Sequence, residues 1–241
     1  MYYNDDFMNY KNYKMEKAKL ILTDIPYCIG VNAYASNKQW WKDGNVAKGY
    51  SEKAKKEFFK GDHDFSIDNF LQFCQDNLDD NGSVIVWCSH LQQFEIISKM
   101  KKYGFKKYIP LVFVKNNSAE VLKANMRIVG ACEYGLQLIK NRLPEFKNNR
   151  RMIKNWFPMN TQFFTIKKVH PNQKPDNLIS QFIELYTNPG DVVIDPCMGS
   201  GSVYFNCKSL DRKFYGFEIL EEYYNIIKEL DNKEEKDGDQ L

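Results

Sequence analysis

The sequence predicts an α/β fold, with a mostly parallel sheet closed by a terminal antiparallel hairpin. Two observations carry this. Short apolar runs that read as buried strands alternate with stretches of helical periodicity, and two of the strand-like runs then follow one another with no helix between them. Residues 192–203 form the centre of the pattern: Val-Val-Ile-Asp ends in Asp195, Pro196 stops any helix, and Gly199 and Gly201 precede a resumed apolar period at Val203. Strand, glycine turn and helix in that order, with an acidic residue at the strand's end, is the arrangement in which open α/β sheets hold nucleoside-like ligands. No Lys-Ser/Thr follows the glycines, and Tyr204 stands where a dinucleotide fold needs its third glycine, so the turn suits a ligand without a pyrophosphate.

The elements follow in order. Residues 19–23 (Lys-Leu-Ile-Leu-Thr) read as a buried strand that delivers Asp24-Ile25-Pro26-Tyr27. Residues 28–64 are rich in Gly, Asn, Lys and aromatics without sustained periodicity, which predicts a long functional loop or insert. Ser66 caps a helix with Ile67, Phe70, Leu71, Cys74 and Leu78 on its apolar face, and Asn81-Gly82 ends it before a strand at 83–88. A second helix presents Leu91, Phe94, Ile97 and Met100, and the hairpin strands are expected at 108–115 and 134–140. Pro175 starts a helix that buries Leu178, Ile179, Phe182 and Ile183, broken by Asn188-Pro189-Gly190 before the central strand. A strand at 213–217 ends in Glu218, a last helix covers 223–230, and the acidic tail 232–241 is expected to be disordered. The organisation predicted is one domain over 1–231, with the insert at 28–64 and a short basic segment near 140–160.

A hydrophobic fraction of 43% with 17 Phe and 15 Tyr is enough for a substantial core. The polar, acidic start and the lack of any long apolar run point to a cytoplasmic protein without a membrane span. Six scattered cysteines with no Cys-x-x-Cys spacing read as reduced thiols, and three distant histidines make a metal site unexpected. The net charge of +3 is uneven: from Glu218 onward nine acidic residues face three lysines, net −6, so residues 1–217 carry +9. A basic body fits a polyanion partner, and equally a solvated surface. The same two readings apply to Lys140, Arg142, Lys147, Arg150, Arg151 and Lys154, which lie beside Trp156 and Phe157.

Three strand-end carboxylates carry the chemistry. Glu218, one strand over from the glycine turn, can accept hydrogen bonds from a ribose, or it can simply favour a helix N-terminus. At Asp24, Pro26 fixes the backbone and leaves the carboxylate and the Ile25 carbonyl as two acceptors for a planar amino group, while Tyr27 offers a ring for stacking.

Together these segments resemble the amino-directed (adenine-N6/cytosine-N4) DNA methyltransferases. Asp24-Ile25-Pro26-Tyr27 is similar to their Asp-Pro-Pro-Tyr catalytic motif. Asp195-Pro196-Cys197-Met198-Gly199-Ser200-Gly201-Ser202 is similar to their Asp-Pro-Phe-x-Gly-Ser-Gly-Thr cofactor motif, and His170-Pro171-Asn172-Gln173-Lys174-Pro175 to the His-Pro-Thr-Gln-Lys-Pro segment before it. Lys115-Asn116-Asn117 and Cys132-Glu133-Tyr134 resemble the intervening pattern, and the motif order matches the circularly permuted beta type. The resemblance implies a Rossmann-like class I methyltransferase sheet. It also implies S-adenosylmethionine as donor, with S-adenosylhomocysteine as product, bound at Lys174, Asp195, Pro196, Gly199, Ser200, Gly201 and Glu218. The catalytic positions would be Asp24, Ile25, Pro26 and Tyr27, and an Asp in the first of them is typical of adenine-specific members. Double-stranded DNA is the implied partner, with Lys147, Arg150, Arg151 and Lys154 as expected phosphate contacts and a monomer or homodimer as the assembly. Methylation of cytosine or RNA, and nucleic-acid binding without turnover, are the competing readings; a zinc deaminase lacks its paired-Cys motif here.

Overall fold

The computed structural model of the chain describes residues 1–28, 65–115, 128, 130–159 and 173–238. The expected loop at 28–64 lies outside these residues except for Cys28. Eight strands form one sheet: β1 (Tyr2–Tyr3), β2 (Ala18–Asp24), β3 (Leu78–Trp87), β4 (Lys107–Lys115), β5 (Cys132–Ile139), β6 (Trp156–Met159), β7 (Val192–Asp195) and β8 (Lys213–Phe217). Among the described residues five α-helices accompany them: α1 (Ile67–Asn77), α2 (His90–Lys99), α3 (Asp176–Tyr186), α4 (Ser202–Ser209) and α5 (Glu221–Gly238). The spatial order is β1-β8-β7-β2-β3-β5-β4-β6. Pairings from β1 through to β3 are parallel, while β5 runs antiparallel to both β3 and β4.

The central strands are apolar throughout because both faces of the sheet are covered. Along β2, Ile21 joins one core with α1 and α2, whereas Leu20 and Leu22 join the other with α3 and α4. β3 alternates likewise, Val84 and Val86 on the first side and Ile85 and Trp87 on the second. Chain order reverses between β2 and β7, which are hydrogen-bonded neighbours. From β2 the chain goes through α1 to β3, and from β7 through α4 to β8 on the opposite side. This gap is the topological switch point at which α/β sheets open a crevice beyond the carboxyl ends of their strands.

The expected hairpin is present as the β4·β5 pair, but it does not close the sheet. β5 is inserted between β3 and β4, and β6 pairs in parallel with the outer edge of β4. The insertion requires close approach: a Cβ at Gly135 would stand 2.5 Å from the Val86 carbonyl oxygen. Trp156 and Phe157, which follow the basic segment, belong to β6; Trp156 is exposed and Phe157 is buried.

Three further expectations are corrected. The first helix ends at Asn77 rather than at Asn81-Gly82, because β3 already begins at Leu78 and takes up the extra residues in a register shift opposite Ala18 to Leu20. On α2 the buried residues are Gln92, Gln93 and Ile96, while Leu91 and Phe94 are exposed. The reason is polar: Gln92 donates to the Pro26 carbonyl at 2.7 Å and Gln93 to the Gly135 carbonyl at 2.8 Å, so these two backbone carbonyls set the helix rotation. Finally, α5 runs to Gly238 instead of giving way to a disordered tail at Asn232. Lys and Glu are good helix formers, and lengthening an existing helix carries no nucleation cost.

Candidate active site

The glycine turn after β7 is held from the neighbouring strand end. Met198 donates its backbone N–H to the Phe217 carbonyl at 3.0 Å, and Gly199 donates to Glu218 Oε2 at 2.7 Å. Glu218 Oε1 accepts from Leu220 N at 2.8 Å, so each carboxylate oxygen has one backbone partner and keeps lone-pair capacity for a ligand. β1 fixes Glu218 from its other side: its N–H donates to the Tyr3 carbonyl at 3.0 Å and its carbonyl accepts from Asn4 Nδ2 at 2.8 Å. Gly199 and Gly201 have φ of +51° and +76°, in the left-handed region. They differ in surroundings. A Cβ at Gly201 would press on Ile227 at 3.0 Å, whereas one at Gly199 meets nothing within 4 Å. The second glycine therefore serves packing, and the first borders open space. Ser200 is buried, its hydroxyl 3.0 Å from that of Ser202, and Pro196 is buried between strand and turn.

Asp195 is likewise buried. Its Oδ1 accepts from Thr23 Oγ1 at 2.7 Å, across the β2–β7 gap, and from Cys197 N at 3.0 Å. Burial is the leading influence and pushes its carboxyl up to about 7, against the lowering effect of these two donors. Burial also raises Glu218, opposed by its backbone donors.

One strand over, the end of β2 holds a second set of groups. Ile25 anchors its side chain in the core and donates its N–H to the Trp87 carbonyl at 3.2 Å. Asp24 Oδ2 lies 2.6 Å from the Lys174 ammonium, which also sits 3.0 Å from Glu133 Oε2; Glu133 Oε1 in turn meets Lys115 at 2.5 Å. Lys174 is buried, with the Tyr27 and Trp87 rings 5.8 and 5.9 Å from its nitrogen. Asp24 Oδ1, the Tyr27 hydroxyl and the Trp87 indole nitrogen are buried with no partner of good hydrogen-bond geometry among the described residues, although the Tyr27 hydroxyl lies near enough to Asp24 to act on its carboxyl as a donor. Burial raises the Asp24 carboxyl, Lys174 opposes it, and Glu133 adds to the rise. Burial alone would also raise Glu133, but Lys174 and Lys115 outweigh it and hold it low. For Lys174, burial favours the neutral amine and the two carboxylates overcome it, keeping the ammonium charged.

The residues singled out in sequence thus fall into two groups on adjoining strand ends. Asp195, Gly199, Ser200, Gly201 and Glu218 come together; Asp24, Ile25, Pro26 and Tyr27 form the other group. Lys174, expected among the cofactor residues, belongs with Asp24. Glu133, Lys115, Trp87 and Thr23 were assigned no role from sequence. The first two stood in recognised motif segments, and the others gave no signal beyond their places at the ends of apolar strands.

Of the four basic residues expected to meet phosphate, Lys147 turns inward: its ammonium donates to the Thr187 carbonyl at 2.8 Å and to Asn188 Oδ1, closing the end of α3. Arg150, Arg151 and Lys154 are exposed.

A doubly wound sheet with a glycine turn and buried carboxylates at its switch point defines a class, the α/β enzymes that bind a nucleoside-like cofactor there. The DNA methylase family model of N6/N4 methyltransferases matches residues 18–229, and the chain belongs to that family. It is 27% identical to the type II methyltransferase M2.LlaDCHI of Lactococcus lactis subsp. cremoris, over 95% of this chain and 87% of that protein. To M.HpaI of Haemophilus parainfluenzae it is 44% identical over 63 residues, 26% of this chain and only 20% of that enzyme's length. In fold it is similar to M1.HpyAVI in its complex with SAM (TM-score 0.69, 23% identity, 95% of this chain and 97% of that one). It is also similar to the cytosine-N4-specific PvuII DNA methyltransferase (TM-score 0.67, 18% identity, 92% and 82%).

Proposed function

We propose that the chain transfers a methyl group from S-adenosylmethionine to the N6 amino group of adenine in DNA. The observation that carries this reading is the pairing of two sites across one strand spacing: an orphan carboxylate oxygen on Asp24 beside the Tyr27 ring, and an open glycine cradle lined by Glu218 and Asp195. The cradle suits the cofactor on three counts. Glu218 has acceptor capacity for ribose hydroxyls, the space beside Gly199 is open, and two buried carboxylates favour a ligand bearing positive charge. When bound, S-adenosylmethionine supplies an electrophilic methyl on a sulfonium.

The chain's own residues do the rest. The target adenine leaves the duplex and stacks on Tyr27. Its amino nitrogen is conjugated with the ring and is a poor nucleophile. Hydrogen bonds from the two amino hydrogens to Asp24 Oδ1 and the Ile25 carbonyl draw the lone pair out of conjugation and stabilise the positive charge that develops on nitrogen. The amino nitrogen would take the methyl that bound S-adenosylmethionine supplies, the sulfonium would leave as a neutral thioether, and the nitrogen would release one proton to solvent. No covalent enzyme intermediate is required, and in-line alignment supplies further acceleration. Exposed Arg150, Arg151 and Lys154 contact phosphates. An Asp rather than a Ser at the first catalytic position supports adenine over cytosine.

Cytosine N4 is the second reading, favoured by the likeness to the PvuII enzyme. Incubation with methyl-labelled S-adenosylmethionine and unmodified double-stranded DNA, followed by digestion to nucleosides, separates the two. Label in N6-methyl-2′-deoxyadenosine is expected; label in N4-methyl-2′-deoxycytidine assigns the second reading, and unlabelled DNA rejects both.

A further inference from the structure

Resting on the methyl-transfer reading, a role for Lys174 follows from where its ammonium lies. We propose that Lys174 is a positioning residue of the chemical step and not a cofactor ligand: it holds Asp24 Oδ2 so that the carboxylate stays ionised and presents Oδ1 to the target amino group, with Glu133 as the counterweight that limits its grip.

Four alternating charges make a chain, Lys115–Glu133–Lys174–Asp24, with contacts of 2.5, 3.0 and 2.6 Å. They come from four segments: the end of β4, the start of β5, the approach to α3 and the end of β2. Because β5 is antiparallel, its start lies at the same end of the sheet as the ends of its neighbours, which brings Glu133 to the cleft. A buried lysine persists beside carboxylates only while charged and paired. Oδ2 of Asp24 is therefore occupied, and Oδ1 is the oxygen left for the amino group.

The ionisation state matters to the chemistry. A protonated Asp24 could place an O–H donor against an amino group that needs an acceptor. The groups that influence Asp24 or feel its charge are Tyr27, Cys88 just after β3, Glu133, Lys174, Asp195 at the end of β7 and Cys197 just beyond it. Lys174 is the cation among them and opposes burial and the negative neighbours by charge, while the Tyr27 hydroxyl opposes them more weakly as a donor. Removing it must raise the Asp24 titration, and removing Glu133 must lower it. Opposite displacements from two touching residues are not what a loss of packing produces.

The test uses the full chain, methyl-labelled S-adenosylmethionine and unmodified double-stranded DNA, with single-turnover rates measured from pH 5 to 9. Lys174→Met is expected to leave cofactor affinity within about twofold while the rate at pH 7 falls about 100-fold, in the range for loss of one aligned electrostatic contact. Its acid limb should move up by one pH unit or more, so that activity recovers with alkali. Glu133→Gln should move the limb down, and Lys174→Arg should hold it in place. In parallel, carboxyl-carbon NMR of Asp24, assigned by loss of its signal in Asp24→Asn, follows the same titration without turnover. Displacements in the expected directions support the proposal. An unmoved Asp24 titration in both Lys174→Met and Glu133→Gln overturns it, as does a loss of cofactor affinity in step with rate. Should Lys174→Met fail to fold, Glu133→Gln and Lys174→Arg carry the same decision. A wild-type chain that leaves DNA unmethylated defeats the methyl-transfer reading, and the NMR titration then decides the Lys174–Asp24 coupling separately.

Discussion

Asp24 and Glu218 are both carboxylates at strand ends, yet their partners differ, and the proposed mechanism gives them different work. Asp24 has one oxygen on Lys174 and one without a partner among the described residues; Glu218 has both on backbone N–H groups. Asp24→Ala should abolish detectable methyl transfer while leaving cofactor affinity nearly intact, as calorimetry beside a transfer assay would show; equal loss of both would remove the division of labour. If Glu218 accepts from the ribose as proposed, Glu218→Ala should weaken cofactor binding by tenfold or more, because it also frees the N–H of Gly199. Glu218→Gln retains acceptor capacity at one oxygen and should lose less. Asp195 adds a pH dependence. Its carboxyl, raised by burial from 3.8 to about 7, favours the cofactor-free fold fully below pH 3.8, and that contribution is lost as pH rises through about 7. A cationic cofactor prefers the ionised form, so binding should release a proton and strengthen with pH up to about 7, by at most about tenfold per pH unit. Titration calorimetry in buffers of different ionisation enthalpy measures that proton; identical heats in all buffers would mean that Asp195 does not sense the ligand's charge.

Among the elements, α2 shows what periodicity can miss. Leu91, Phe94 and Ile97 mark an apolar face, but the capping box between Ser89 and Gln92 and the two glutamine side chains bonded to the Pro26 and Gly135 carbonyls turn another face inward. Ile96→Ala should therefore cost about 2–5 kcal/mol in denaturant unfolding, whereas Phe94→Ser should change stability by about 0.5 kcal/mol or less. A large loss at Phe94 would restore the apolar-face reading. β1 is too short for any periodic signal, yet it clamps the backbone of Glu218. Asn4→Ala should weaken cofactor binding several-fold, corresponding to about 1 kcal/mol for one hydrogen bond. The apolar strands β2, β3, β7 and β8 were legible because both of their faces are buried, and the glycine turn because its residues need unusual backbone angles. The insertion of β5, the edge strand β6 and the Glu133–Lys174 contact were not legible. They depend on pairings between residues far apart in sequence, which no local pattern records.

At the scale of the whole molecule, the question is how a basic body meets DNA. The charge excess of the first 217 residues does not act uniformly, since Lys140 donates inward to the Gln75 and Leu78 carbonyls and Lys147 closes the end of α3. What Lys147 secures is a tight turn: Arg151 N donates to the Asn148 carbonyl at 2.8 Å, Asn148 Nδ2 returns a bond to the Arg151 carbonyl at 2.7 Å, and Asn149 and Arg150 take φ of +50° and +59°. Left-handed backbone at two residues that are not glycine is costly, so the turn holds its shape through these bonds and through Lys147. It carries Arg150 and Arg151 exposed, beside Lys154, whose ammonium lies 5.8 Å over the Trp156 ring of edge strand β6. Neutralising Arg150 and Arg151 together should weaken binding to DNA of any sequence and reduce the slope of log Kobs against log salt by about 0.9 for each phosphate that is no longer neutralised. Lys147→Ala should instead lower thermal stability and reach DNA affinity only through the loosened turn. Binding measured across a salt series, beside thermal unfolding of each variant, separates the two. An unchanged slope in the double-arginine variant would make the turn a solvated surface and leave the phosphate contacts to be sought elsewhere on the body.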